Sequence, residues 1–281
     1  MKIGITGQSG FIGGAVARAV SGAGHQVISL DKCIRSYFAD NDYPKKLDWV
    51  LHFAASTSIK ASMKDPFFTY RNNIESTLAA LKLSYHSRAS FVFMSSYVYG
   101  QPKYLPIDEK HPIACLNPYM GSKILSEEIC RQLSDMLCIP LVILRGFYIY
   151  GNCQFPGRLI SDLMESVRKG IPMVLNDPAP KRDYLYIKDF EALILKIISQ
   201  VQIKTGTYNV GSGHSYSNLE VAEMVRILSG GKCDIVAKSS PRSQDVSDCT
   251  VDVSLIKEAF SWEPRYSLEK GLSELIQLSA L

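Results

Sequence analysis

The 281-residue sequence predicts an α/β fold: a doubly wound parallel sheet with a smaller C-terminal lobe. Three observations carry this. Strand-like and helix-like segments alternate from Lys2 to Arg145. A glycine-rich turn, Gly7 to Gly13, joins the first strand to the first helix. The inner strands, such as Trp49 to Ala55 and Phe91 to Met94, are unbroken apolar runs, as strands covered on both faces must be.

Taken in order, Lys2 to Thr6 is a short apolar strand that runs into Gly7-Gln8-Ser9-Gly10-Phe11-Ile12-Gly13. The three glycines let the backbone turn tightly and approach a pyrophosphate, which sits at the positive end of the helix that follows. His25 to Leu30 supplies the second strand and ends at Asp31. That places a carboxylate about 20 residues beyond the turn, where it binds a ribose 2′-hydroxyl and repels a 2′-phosphate. NAD is therefore the expected cofactor and NADP is disfavoured, although Lys32 beside Asp31 acts in the other direction. From Cys33 to Lys46 the pattern is poor. A trimmed connection is expected there, with Asp40 as the residue available for an adenine contact.

The third strand ends in Phe53, Ala54 and Ala55, and the small alanine pair lets a cofactor lie close. His52 reads as a satisfied strand histidine rather than a catalyst. Pro66 to His86 is a long helix with Tyr70, Ile74, Leu78, Leu81 and Tyr85 on one face and Asn73 placed to support a site. The next strand delivers Ser95 and Ser96 at its C-terminal end, where open parallel sheets bind ligands. A helix then starts at Asn117-Pro118, and a strand follows at Pro140 to Arg145. Beyond Gly151 the alternation loosens into a helix at Leu159 to Lys169, short strands at Pro172 to Leu175 and Arg182 to Tyr186, and a helix at Asp189 to Ser199. Thr207 to Val210 returns to the main sheet, and Ser217 caps a helix at Leu219 to Leu228. Residues 1–150, with returning segments near 185–215, are expected to bind the cofactor. Residues 151–281 are mainly a substrate-binding lobe.

Composition narrows the possible roles. The net charge is only +4 and no Lys/Arg tract exists, so nucleic acid is not an expected partner. No run of about 18 apolar residues exists, so no membrane span is expected. The N-terminus reads as a strand entering a glycine turn, not as a signal peptide. Seven scattered cysteines without a CxxC pair suit reduced thiols in a cytoplasm, and no metal site is expected.

The chemistry centres on Pro118-Tyr119-Met120-Gly121-Ser122-Lys123. In a helix, Tyr119 and Lys123 lie one turn apart on one face. An ammonium there favours the phenolate, so the tyrosine can exchange a proton with a substrate hydroxyl or carbonyl while a cofactor exchanges the hydride.

Seven ordered motifs then place the chain beside a known group. They are Thr6 to Gly13, Leu51 to Ala55, Met94 to Gly100, Asn117 to Lys123, Lys181 to Tyr184, Tyr208 to Gly213 and Trp262-Glu263-Pro264. Over nearly its whole length the chain resembles an extended short-chain dehydrogenase/reductase of the NAD-dependent sugar-nucleotide epimerase and dehydratase branch, with a Rossmann-type core. The resemblance implies a catalytic trio of Ser95, Tyr119 and Lys123. Tyr119 would be the general acid/base, Lys123 would bind the nicotinamide ribose, and Ser95 would orient the reacting oxygen with Ser96 beside it. It also implies that Arg182 and Arg242 grip the diphosphate of a nucleotide sugar, that Asp245 binds the nucleoside ribose, and that the chain forms a homodimer.

The departures from the pattern are equally specific. Ser96 and Tyr97 stand where 4,6-dehydratases carry an Asp-Glu pair, so elimination of water is disfavoured. Tyr148 stands where many epimerases have an asparagine near the diphosphate, and Gly151 to Phe155 replaces a proline-bearing loop. The leading expectation is epimerisation of a nucleotide-diphosphate sugar at C4. The alternative is NAD(P)H-dependent reduction of a nucleotide-linked keto-sugar. A non-catalytic cofactor-binding regulator is the third reading, and the intact Ser95, Tyr119 and Lys123 argue against it.

Overall fold

The computed structural model describes residues 1–32, 46–231, 233–238, 240 and 246–279. Its largest sheet has six strands: β1 (Lys2–Thr6), β2 (Gln26–Ser29), β3 (Trp49–His52), β4 (Ser90–Met94), β5 (Leu141–Gly146) and β9 (Gly206–Val210), in the order β2-β1-β3-β4-β5-β9. The pairings from β2 across to β5 are parallel. Two smaller sheets complete the described strands. One joins β10 (Ser215–Ser217), β8 (Lys181–Tyr186) and β6 (Tyr148–Tyr150); the other joins β11 (Ile235–Ala237) to β7 (Met173–Leu175).

The chain divides into two compact units. The first comprises Met1–Gly100, Pro112–Gly146 and Glu191–Tyr208. The second comprises Gln101–His111, Phe147–Phe190 and Asn209–Leu281. In the first, the core forms between one face of the sheet and the helices Pro66–Ser87 and Pro118–Leu137, around Val50, Leu81, Phe91, Phe93, Cys130 and Ile143. Burying aliphatic and aromatic side chains of this kind contributes about 1.5–3 kcal/mol each, which is what holds a crossover helix onto a parallel sheet.

Both helices start where local chemistry predicts. Pro66 and Pro118 stand in the first turn, where a missing N–H costs nothing, and Asp65 and Asn117 cap them by accepting from Phe68 N and Met120 N at 2.9 Å. The expected cap at Ser217 also forms, as a reciprocal box with Glu220. The helix Pro66–Ser87 corrects the apolar face read from sequence. Its buried stripe runs through Thr69, Asn73, Thr77, Leu81 and Ser84, whereas Tyr85 is 47% exposed. Polar residues line that stripe because it meets the polar end of the sheet, where β3 finishes.

Candidate active site

In the first unit, the site starts from the glycine turn. Gly7 has φ +72°, and a Cβ on it would lie 2.7 Å from Ala54 N and 2.9 Å from Phe53 C. A Cβ on Gly13 would lie 2.1 Å from Gly7 O. Gly10, at the cap of the helix Phe11–Gly22, makes no side-chain cap bond, and the first N–H groups of the helix face the turn. Asp31 reaches back to accept the Gly7 N–H at 2.5 Å. This is a cradle closed to any side chain but open to a phosphate backbone, with a carboxylate at its edge, and it fits a dinucleotide. Phe11 and Ile12 are half-buried, Ser9 and Lys32 are exposed, and Ala54 and Ala55 are half-buried beyond β3.

Thr6 ties the turn to β3. Its Oγ1 accepts from Phe53 N and Ala54 N, both at 3.2 Å, and lies 2.7 Å from His52 Nδ1. On the other side, His52 Nε2 lies 3.2 Å from Thr77 Oγ1, which donates to Asn73 O at 2.8 Å. Because Thr77 spends its proton on that carbonyl, Nε2 of His52 carries the ring proton and Nδ1 accepts from Thr6. Burial, reinforced by the charge on Lys123, pulls the His52 pKa down to about 3, so the ring stays neutral. His52 is a structural pivot, as the sequence suggested.

Asn73 binds both sides of the site together. Its Nδ2 donates to Ser56 O at 3.1 Å and to Ser122 Oγ at 2.9 Å, while its Oδ1 accepts from Ser56 N at 2.7 Å. Ser122 in turn donates to Tyr119 O at 2.7 Å. The segment after β3 and the first turn of the helix Pro118–Leu137 are thus fixed to one amide. Gly121 permits the close approach, since a Cβ there would lie 2.1 Å from the Tyr70 hydroxyl oxygen.

Tyr119 is half-buried on the first turn of that helix, and Lys123 is buried one turn later. The Lys123 Nζ donates to Met94 O at 2.8 Å and lies 4.9 Å from the Phe93 ring centroid. Burial pulls its pKa down to about 8, with Cys130 and Glu127 opposing. The sign of the linkage follows. Between the folded value near 8 and the ordinary 10.5, the unfolded chain holds the extra proton, so stability rises with pH across that window and the gain is lost as pH falls through about 8. At about 1.4 kcal/mol per unit, the contribution is on the order of 3 kcal/mol. Lys123→Met should remove this rise and be more stable than the wild-type chain at neutral pH, as measured by urea unfolding at a series of pH values.

Ser95 lies at the end of β4, buried, and its Oγ donates to Glu127 Oε1 at 2.5 Å. Ser96 is half-buried next to it. Sequence reading missed Glu127 and its partner Arg145. Two signals point to them: Glu127 continues the Tyr119–Lys123 stripe by one more turn, and Arg145 is a charge at the end of a buried strand, where it needs a partner.

In the second unit, Arg182 sits on β8, buried, with Nη1 donating to Lys181 O at 2.7 Å and Val246 O at 2.6 Å. Its guanidinium lies 5.4 Å from the ring centroid of Tyr148, which faces Tyr184 across the β6–β8 pairing. The next residue, Asp183, accepts from Ser212 N, Ser212 Oγ, Gly213 N and Val251 N at 2.6–3.2 Å and so fastens the Tyr208 to Gly213 motif. Burial lifts its pKa to about 6 against those four bonds. Asp40, Arg242 and Asp245 lie outside the described residues. Among the described residues there is no cluster of metal-ligating side chains, and no helix is long and apolar enough to cross a membrane.

The profile of the NAD dependent epimerase/dehydratase family matches residues 3–211. The UDP-glucose 4-epimerase of Lacticaseibacillus casei is 28% identical over 309 residues, covering 95% of this chain and 92% of its own. Two solved structures share the fold. RMD from Pseudomonas aeruginosa complexed with NADPH superposes with a TM-score of 0.90 at 22% identity, covering 99% of this chain and 98% of its own. The UDP-glucose 4-epimerase of Thermotoga maritima with UDP-glucose gives 0.87 at 23% identity, covering 99% and 98%.

Proposed function

Because the chain belongs to the NAD-dependent epimerase/dehydratase family, we propose that it epimerises a nucleotide-diphosphate sugar, at C4, through a transient keto-sugar. The single observation that carries this is the buried Lys123 one turn after the half-buried Tyr119, on a helix locked through Asn73 to the segment after β3. NAD, when bound, supplies a hydride acceptor that also returns the hydride. The Gly7–Gly13 turn, Asp31 and the Phe53–Ala55 segment would hold it, and the Asp31 carboxylate favours a free ribose 2′-hydroxyl over a phosphate. Tyr119 takes the proton of the reacting sugar hydroxyl and later returns it. Ser95 orients that oxygen. The charge of Lys123 favours the phenolate form of Tyr119. Arg182, with Arg242 and Asp245, would bind the diphosphate and nucleoside, since guanidinium forks pair bidentately with phosphate.

The similarity to a UDP-glucose 4-epimerase over 95% of the chain supports UDP-hexoses as the first substrates to try. Incubation with UDP-glucose or UDP-galactose should interconvert them with no NAD(P)H added and none consumed. Stoichiometric consumption of external NAD(P)H with a keto-sugar substrate would overturn the epimerase reading and establish a reductase.

A homodimer belongs to the same proposal. Phe67 and Phe68 on the helix Pro66–Ser87, and Met136 and Leu125 on the helix Pro118–Leu137, are 86%, 56%, 77% and 48% exposed, an apolar display that a second copy would cover. Light scattering should report a dimer for the wild-type chain and a monomer for Phe67→Glu/Met136→Glu; a monomeric wild-type chain would refute it.

A further inference from the structure

Behind Ser95 lies an ionic cluster that the reaction as described does not use. Glu127 is 1% exposed and continues the stripe of Tyr119 and Lys123 by one helical turn. Arg145, 4% exposed, straddles it: Nε lies 3.0 Å from Oε1 and Nη2 lies 2.7 Å from Oε2. Arg131 adds a bond from Nη2 to Oε2 at 2.6 Å. Arg145 Nη1 donates to the Tyr99 hydroxyl at 3.0 Å, and its guanidinium lies 5.2 Å from that ring's centroid. Burial pushes the Glu127 carboxyl up, but the bonds from Arg145 and Ser95 outweigh it and hold the group below the usual range. The carboxylate thus has no proton to give, and the hydrogen in the 2.5 Å contact is the serine's own.

That assignment constrains Ser95. Its one proton is committed to Glu127, so only its lone pairs remain for a substrate. A serine in that state accepts from a sugar hydroxyl, and it donates to a sugar ketone only by turning its hydroxyl away from Glu127, while Tyr119 supplies the proton that the ketone finally takes up. We infer that Glu127 is a positioning residue that acts through Ser95, fixing both its rotamer and the direction of its hydrogen bond, with Arg145 and Arg131 holding the carboxylate in place. The inference rests on the epimerase reading, in which a sugar hydroxyl is the partner of Ser95. A purely structural ion pair between the helix Pro118–Leu137 and β5 would use the same residues, and the test must separate the two.

The experiment is a double-mutant cycle on the full chain: wild type, Glu127→Gln, Ser95→Ala and the double variant, assayed by UDP-glucose/UDP-galactose interconversion and by urea unfolding. Glu127→Gln should lower kcat at least about tenfold, the size usual when the partner behind an active-site ligand is lost, with KM unchanged. In the Ser95→Ala background the same substitution should have no further effect on kcat. An equal fold-loss in both backgrounds would overturn the inference, because Glu127 would then act independently of the serine. Absence of any coupling between the two sites in unfolding free energy would overturn it as well, with no reference to turnover. Where Glu127→Gln does not fold, Glu127→Asp keeps the charge facing Arg145 and withdraws the carboxylate from Ser95, so it should give the same kcat loss in a stable chain; an unaltered kcat in that variant would refute the inference. Failure of the wild-type chain to turn over nucleotide sugars bears instead on the functional reading and is seen before any variant is made.

Discussion

Replacing Tyr119 by phenylalanine is expected to lower kcat by roughly 10²–10⁴-fold, the usual worth of a positioned general acid/base, while leaving NAD affinity unchanged. The substitution removes one oxygen and keeps the ring, so the helix start capped by Asn117 and the Asn73–Ser122 bond, both independent of the hydroxyl, stay in place. Lys123 cannot replace the lost group, because its ammonium is buried and donates to Met94 O. Nor can His52, which is neutral and engaged on both nitrogens. The comparison needs UDP-hexose interconversion for the rate and isothermal titration for NAD. Undiminished turnover in Tyr119→Phe would refute the mechanism. Loss of both turnover and NAD binding would show that the hydroxyl serves the cofactor site instead.

The second large effect belongs to Gly13. Gly13→Ala would put a methyl 2.1 Å from Gly7 O and 2.6 Å from Gly7 C, and both are backbone atoms that cannot swing aside. The turn must open, at a cost of about 1–3 kcal/mol or more in stability, typical of overpacking. NAD binding should fall with it, because the opened turn no longer presents Gly10 and the helix start at close range. Gly22→Ala is the matched control: nothing lies within 4 Å of a Cβ there and the residue ends the same helix, so stability should hold or rise. Thermal unfolding and NAD titration of the two variants check this. Equal behaviour of Gly13→Ala and Gly22→Ala would remove the glycine cradle from the cofactor site.

Much of the main sheet was legible because its signals are local. A strand buried on both faces must be apolar along its run, and Trp49 to Leu51 and Phe91 to Met94 are. A proline after an aspartate or asparagine marks a helix start, and Pro66 and Pro118 both obey. The buried face of the helix Pro66–Ser87 was misread for the converse reason. Hydrophobic spacing reports where apolar residues cluster, not which face meets the sheet, and here the buried stripe carries Thr69, Asn73 and Thr77 because His52 and Ser122 need polar partners.

The same division runs through the site. By itself the sequence determined the glycine turn, the carboxylate of Asp31 at the end of the second strand, and the one-turn spacing of Tyr119 and Lys123, since each depends only on residues close in the chain or on the fixed pitch of a helix. Only the tertiary structure decided that Asp31 accepts the Gly7 N–H, that His52 is pinned between Thr6 and Thr77, and that Ser95 gives its proton to Glu127, 32 residues away. The contacts of Asp31 and Thr6 follow from the register of β1 with β2 and β3, and those of Thr77 and Glu127 exist because the crossover helices pack at one height on the sheet. No local pattern encodes that height, which is set by how side chains such as Phe93, Cys130 and Ile143 fill the space between.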